Sequence, residues 1–410
     1  MGADTEPPGA GSGRRGELDV LRALVVVGLV FFHSALVFSP DDDFYVKNAT
    51  TTGAVTVLAG FGVVWAMPVL FLVAGLGARH SVRRRGPARF ARERLLRLGV
   101  PLVFGTVVLC PLPQWLRLRA ADPAYGQSYP AFWARFLDVR PDPADFPFVL
   151  EGEHFETGHL WFVVLLLSFC LLLAPFAAAL TGWADRAAGA VQGRPALLLS
   201  PAPVLAAVNA LLGMEEDYAG WNRWAYLLFF AYGFLLADDE RVREPTRRLA
   251  PRVGVLGVVL FAGTAPGFVA GDDPFTAATP AALATRALFG AAGWCWVLAI
   301  LGLLDRPART PRPDRRGRTS QVLAYLAVAA LPLYVLHQPV VVAFAYGVVG
   351  RAAPAPVKYA VIVAASLVTV VLLYELGVRR WAVTRWLFGM RPAPRAAARP
   401  KGGRPPPPAP

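Results

Sequence analysis

Histidine is the side chain whose ordinary pKa lies nearest neutrality, so an imidazole set in an apolar segment is suited to moving protons. Three of the five histidines in this sequence fall in or at the edge of such segments. His33 lies in the run from Leu18 to Phe38, His159 opens a second run at Gly158-His159-Leu160-Trp161-Phe162, and His337 sits late in a third at Tyr334-Val335-Leu336-His337-Gln338-Pro339. Ionisable groups at such positions are costly and by default mark a functional site. Asp19 and Arg22, three residues apart, share a helix face and can pair. Arg22 and His33 are eleven residues apart, or three helical turns, so they face the same side about 16 Å apart. Arg94 and Arg97 form a further pair at helical spacing, and guanidinium groups grip phosphates bidentately. Each feature also has an ordinary reading. These are a helix-end ion pair with a hydrogen-bonded core histidine, an interfacial His159 beside Trp161, a polar helix contact at His337, and plain loop charge at Arg94 and Arg97. His80 and His154 fall in loops and are given no role.

The elements that must position these residues are read from the apolar runs. Of 410 residues, 55% are hydrophobic and only 17% charged, against about a quarter charged in soluble domains. Runs near 20 residues recur at 18–38, 55–78, 99–114, 159–180, 196–213, 221–237, 252–271, 282–304, 321–349 and 357–378. A bilayer core about 30 Å thick accepts each run as one helix. The expected fold is therefore all-α, a polytopic integral membrane helical bundle with about ten transmembrane helices. The third run is short and interrupted by Pro101, Pro111 and Pro113, which a membrane helix tolerates when neighbours satisfy the freed carbonyls. A signal-peptide reading of the first run is disfavoured by its length and by Asp19 and Arg22 at its start.

The net charge of +13 would suit a nucleic-acid partner, but its placement argues for a membrane and no nucleic acid. Basic residues crowd into 79–97, 238–252 and 305–318, while the alternate turns carry Asp41–Asp43, Glu215–Asp217 and Asp272–Asp273. That alternation puts the basic loops and both termini in the cytoplasm. The segment 115–158, aromatic among charges, is expected to pack over the outer mouth. Domain organisation reads as a disordered lead at 1–16, a membrane domain at 17–388 and a disordered basic Pro-rich tail at 389–410. Cys110, Cys170 and Cys295 lie in apolar runs without paired spacing and read as small core residues.

Together these residues resemble the membrane-bound acyltransferase-3 family over roughly 15–378. Arg15-x3-Asp19-x2-Arg22-x10-His33 is similar to the family's first-helix signature. Phe71-Leu72-Val73-Ala74-Gly75 is similar to its FxxSG-type element with Ala74 in place of Ser. Arg94-x2-Arg97 followed by Pro101 is similar to its RxxR element, and His159-Leu160-Trp161-Phe162 and Tyr334-x2-His337 are similar to later landmarks. Phe32-His33-Ser34-Ala35-Leu36 leans toward the glucan-modifying branch.

The resemblance implies an O-acyltransferase of the bacterial plasma membrane. It would use acetyl-CoA or another acyl-CoA as donor substrate, with no permanently bound cofactor and no metal. Arg94, Arg97 and Arg15 would hold the donor, His33 would act with Asp19 and Arg22, and His159, Trp161, Tyr334 and His337 would line the side of a carbohydrate or glycolipid acceptor. Some relatives carry an appended soluble hydrolase-like domain; this chain is expected to lack one and to transfer directly or through a separate extracytoplasmic partner. A proton-coupled transporter and a noncatalytic envelope-assembly subunit are the alternatives.

Overall fold

The structure, a computed structural model, describes residues 16–40, 43–236, 239–271, 273–305 and 318–390. Arg15, all of the expected lead except Gly16 and nearly all of the expected tail lie outside the described residues. The chain forms an all-α bundle. Among the described residues, nine helices are long and apolar enough to cross a membrane. The helices in chain order are α1 (Gly16–Leu36), α2 (Gly53–Arg85, interrupted at Val64 and Trp65), α3 (Pro87–Ala121), the loop helix α4 (Tyr129–Phe136), α5 (Gly158–Gly193), α6 (Pro195–Leu212), α7 (Arg223–Leu236), α8 (Glu240–Val269), α9 (Pro280–Leu304), α10 (Arg318–Val349), α11 (Ala355–Val378) and the short α12 (Ala382–Leu387). The strands among the described residues are one two-residue antiparallel pair, β1 (Arg140–Pro141) with β2 (Leu150–Glu151).

The run at 221–237 holds α7, whose 14 described residues run from the turn beside the cavity to the arginine-rich end, where Arg79 donates to Leu235 O at 3.3 Å. Its start is fixed by Asn222, whose Oδ1 accepts from Trp224 N at 3.0 Å while its Nδ2 donates to Gly213 O at 3.2 Å. Glycines let its backbone touch α2. A Cβ on Gly75 would lie 2.0 Å from Phe230 O, and one on Gly233 would lie 2.0 Å from Leu72 O. Small residues permit this approach where apolar burial gives no drive between helices in lipid.

The third run, read as a short helix over 99–114, is instead the continuous α3. Its prolines are absorbed by two π-helical turns, Leu95–Gly99 and Gly105–Leu109. Pro111 has no N–H for the carbonyl of Val107, and the indole of Trp133 on α4 donates to that oxygen at 2.7 Å. The loop helix is thereby tied to the bundle, and its Phe132 and Phe136 are fully buried.

The bundle has two unlike ends. One carries residues 37–40, 43–52 and 122–157. The other carries the arginine-rich residues of 79–97 and 239–252, where charges tie helices together: Arg79 to Asp185 at 2.8 Å joins α2 to α5, and Arg247 to Asp305 at 2.8 Å joins α8 to the end of α9.

Candidate active site

At the loop end a cavity of about 2120 Å³ opens between α1, α2, α3, the 139–158 segment and the turns flanking α7 and α8. His33 and His159 are part of its wall. The ring centroids of His33 and His337 are 5.1 Å apart, and those of His337 and His159 are 4.9 Å apart. Histidines from three helices therefore form one cluster, with His337, fully buried, in the middle. Phe44 stacks on His33 from the loop side at 5.7 Å.

Backbone carbonyls set the tautomers of two of these rings. Pro339 supplies no N–H to the carbonyl of Val335, four residues earlier on α10. His159 Nε2 lies 3.0 Å from that oxygen. A carbonyl only accepts, so Nε2 of His159 carries the hydrogen. Tyr334 Oη in turn donates to the backbone carbonyl of His159. The start of α5 and the proline-broken turn of α10 are thus locked together. His337 Nδ1 lies 2.5 Å from the carbonyl of Tyr334, so it holds the hydrogen and Nε2 keeps a free lone pair. That Nε2 and Nδ1 of His33 are buried with no hydrogen-bond partner. Two imidazoles with unspent nitrogens, one on the wall of a cavity, are equipped to take and pass a proton. Among the described residues no group of three side chains is disposed to hold a metal ion.

The other expected site residues are more scattered. Asp19 and Arg22 form their pair at 3.1 Å, and Arg22 Nη2 also donates to Val73 O at 3.1 Å, fastening α1 to the Phe71–Gly75 segment. Arg94 lies over the ring of Phe90 at 5.3 Å. Arg97 turns to different partners, donating to Gly389 O at 3.3 Å with Glu93 3.6 Å away. Neither of these arginines, nor Arg22, is among the residues lining the cavity. Trp161 is on the cavity wall, whereas Tyr334 and His337 lie behind it.

Four further residues on that wall went unread in the sequence: Tyr45, Arg117, Glu156 and Gln338. Tyr45 Oη donates to Glu156 Oε1, and Arg117 lies over the Tyr45 ring at 5.8 Å. Gly158 makes room for the group. Its φ is +48°, and a Cβ there would stand 3.0 Å from Tyr45 Oη, 3.5 Å from Glu156 Oε1 and 3.6 Å from Gln338 Nε2. Of these residues only Gln338 carried a readable signal, its place between His337 and Pro339 inside an apolar run.

Burial pushes the Glu156 carboxyl up to about 7, against the opposing pull of Tyr45 and Arg117. The folded chain then holds a proton between about pH 4.5 and 7 that the unfolded chain releases, so stability falls as pH rises through that window and is level above it. The shift corresponds to roughly 2–3 kcal/mol once the roominess of the cavity is discounted. The Glu156→Gln variant loses this term. The melting-temperature difference between it and the parent protein in detergent is expected to favour the variant increasingly from pH 5 to pH 8. A difference independent of pH would contradict the assignment.

Comparison with known proteins adds the following. A family model described as an acyltransferase domain matches residues 15–375. Glucans biosynthesis protein C from Salmonella agona (strain SL483) and from Salmonella paratyphi A (strain ATCC 9150 / SARB42) are each 24% identical over 227 residues, which is 54% of this chain and 51% of theirs. The chain thus spans about half the length of the curated relatives it matches. No solved structure matches it.

Proposed function

The chain belongs to the acyltransferase-3 family, and from that premise we propose that it is a membrane O-acyltransferase, moving an acyl group from acyl-CoA to a hydroxyl of a carbohydrate or glycolipid. The arginine-rich end faces the cytoplasm of a bacterial cell, with both termini inside, and the cavity opens on the opposite face. The observation that carries this reading is the histidine cluster, with His33 and His159 on the cavity wall and nitrogens of His33 and His337 unspent.

A hydroxyl attacks a thioester poorly until a base removes its proton. The His33 ring takes that proton as the oxygen bonds to the acyl carbon. The bond from that carbon to the coenzyme sulfur then breaks, and the thiolate leaves with a proton returned from the imidazolium. His337, with its Nδ1 hydrogen held by Tyr334 O, keeps a lone pair beside His33 and stabilises the charge that forms there. Asp19 and Arg22 order the helix that carries His33 rather than touching the reacting atoms. Arg94 and Arg97 stand at the end where a coenzyme phosphate would arrive. Acetyl is the favoured acyl group, and the matched relatives' name, glucans biosynthesis, favours a glucan acceptor.

Mass spectrometry of envelope glycans from cells with and without the protein tests the reading. A substituent with the mass of an acyl group is expected to disappear with the protein and return on complementation. Unchanged acylation would overturn the proposal.

A further inference from the structure

The side chains around Gly158 belong to no step in that reaction, yet they form a built polar surface beside the histidines. Glu156 is held by Tyr45, and Tyr45 is itself covered by Arg117. Gln338, almost fully buried, brings its amide to the same point from α10. His159 follows Gly158 directly and shares the wall with His33. A molecule whose hydroxyl is offered to His33 from the loop side therefore meets this group with its neighbouring hydroxyls. The cavity wall as a whole carries eight carboxyl side chains against one guanidinium, that of Arg117. Three of the eight, Asp43, Asp145 and Glu151, are paired with Arg117, Arg223 and Arg140, and the negative excess that is left repels uronates and phosphates and accepts hydroxyl hydrogens.

We propose that Glu156, clamped by Tyr45 beside Gln338, binds hydroxyl groups of the acyl acceptor, and that the site takes a neutral carbohydrate rather than an anionic one. This rests on the acyltransferase reading and names its acceptor side. A carboxylate accepts from two hydroxyls at once, and an ionised acceptor makes the stronger hydrogen bond. The titratable and charged groups facing Glu156 are Tyr45 from the loop after α1, Cys110 and Arg117 from α3 and Asp217 ahead of α7, with the amide of Gln114 also in reach. Burial and Asp217 favour the protonated carboxyl, whereas Tyr45, Arg117 and Gln114 favour the charged one. Binding should therefore strengthen as pH rises through neutrality.

The test is equilibrium binding of a linear glucose oligosaccharide, and of a uronic-acid oligosaccharide of equal length, to the purified full chain in detergent without acyl donor. The neutral sugar is expected to bind about tenfold more tightly at about pH 8.5 than at about pH 5.5, and the uronate weakly at both. Glu156→Gln should flatten that dependence at the weaker level. Tyr45→Phe should move the midpoint to higher pH, since the lost hydrogen bond stabilised the carboxylate, a change that a merely structural role would not produce. Equal binding by parent and Glu156→Gln at both pH values, equal binding of the uronate, or no binding of the neutral sugar would each overturn the proposal. Because no donor is present, such a result leaves the glycan acylation test standing, and the two readings fail separately.

Discussion

Replacing His33 with alanine should lower acyl transfer by about 10²–10⁴-fold, the usual worth of a positioned general base, while the protein still accumulates in the membrane. The ring sits at one end of the histidine cluster, and its Nδ1 has no hydrogen-bond partner to lose, so its removal breaks no structural bond at that atom. The contrast with its neighbours makes the result interpretable. His337→Asn keeps a side-chain N–H for Tyr334 O but loses the free lone pair, and should reduce transfer less than the His33 change. His159→Ala leaves the Val335 carbonyl without its donor at a proline break, so it should lower melting temperature as well as activity. Transfer rates and melting temperatures of the three variants, each corrected for membrane abundance, check this pattern. A His33→Ala protein with unaltered transfer would remove the imidazole from the chemistry.

Placing a side chain at Gly233 should be as damaging to the fold as the His33 change is to the reaction. The added Cβ would stand 2.0 Å from Leu72 O and 2.7 Å from its carbonyl carbon. Backbone cannot swing aside as a flexible side chain can, so α7 must move off α2. The cost of Gly233→Val is expected at about 3 kcal/mol or more, the upper end for overpacked sites. Gly182→Ala in α5 is the control, since a Cβ there meets nothing within 4 Å. In a helix it should be neutral or stabilising by up to about 1 kcal/mol. Thermal melts in detergent compare the two, and equal stability of the Gly233→Val protein would show that the close approach is not needed. The same geometry at Gly75 gives the Phe71–Gly75 segment a packing role. Gly75 lets α7 in, and Val73 O takes the hydrogen bond from Arg22.

The sequence by itself determined the bundle, the pairing of Asp19 with Arg22 and the presence of imidazoles in apolar helices. Those features are written in local periodicity: apolar runs report length, and a spacing of three or four residues reports a shared helix face. The apolar run places the start of α7 two residues early, because Trp221 and Asn222 belong to the turn that caps it.

Tertiary structure alone decided which helices meet. The proline at 339 announces a carbonyl in need of a donor, but only packing brings His159 to it. Arg94 and Arg97 look like a pair by spacing, yet one rests on Phe90 and the other reaches Gly389, a residue 292 positions away. Glu156 reads as an ordinary loop charge until the 122–157 segment folds over the cavity and draws it beside Tyr45. Contacts between distant segments follow from shape and from which backbone groups are left unsatisfied, and no local pattern encodes either one.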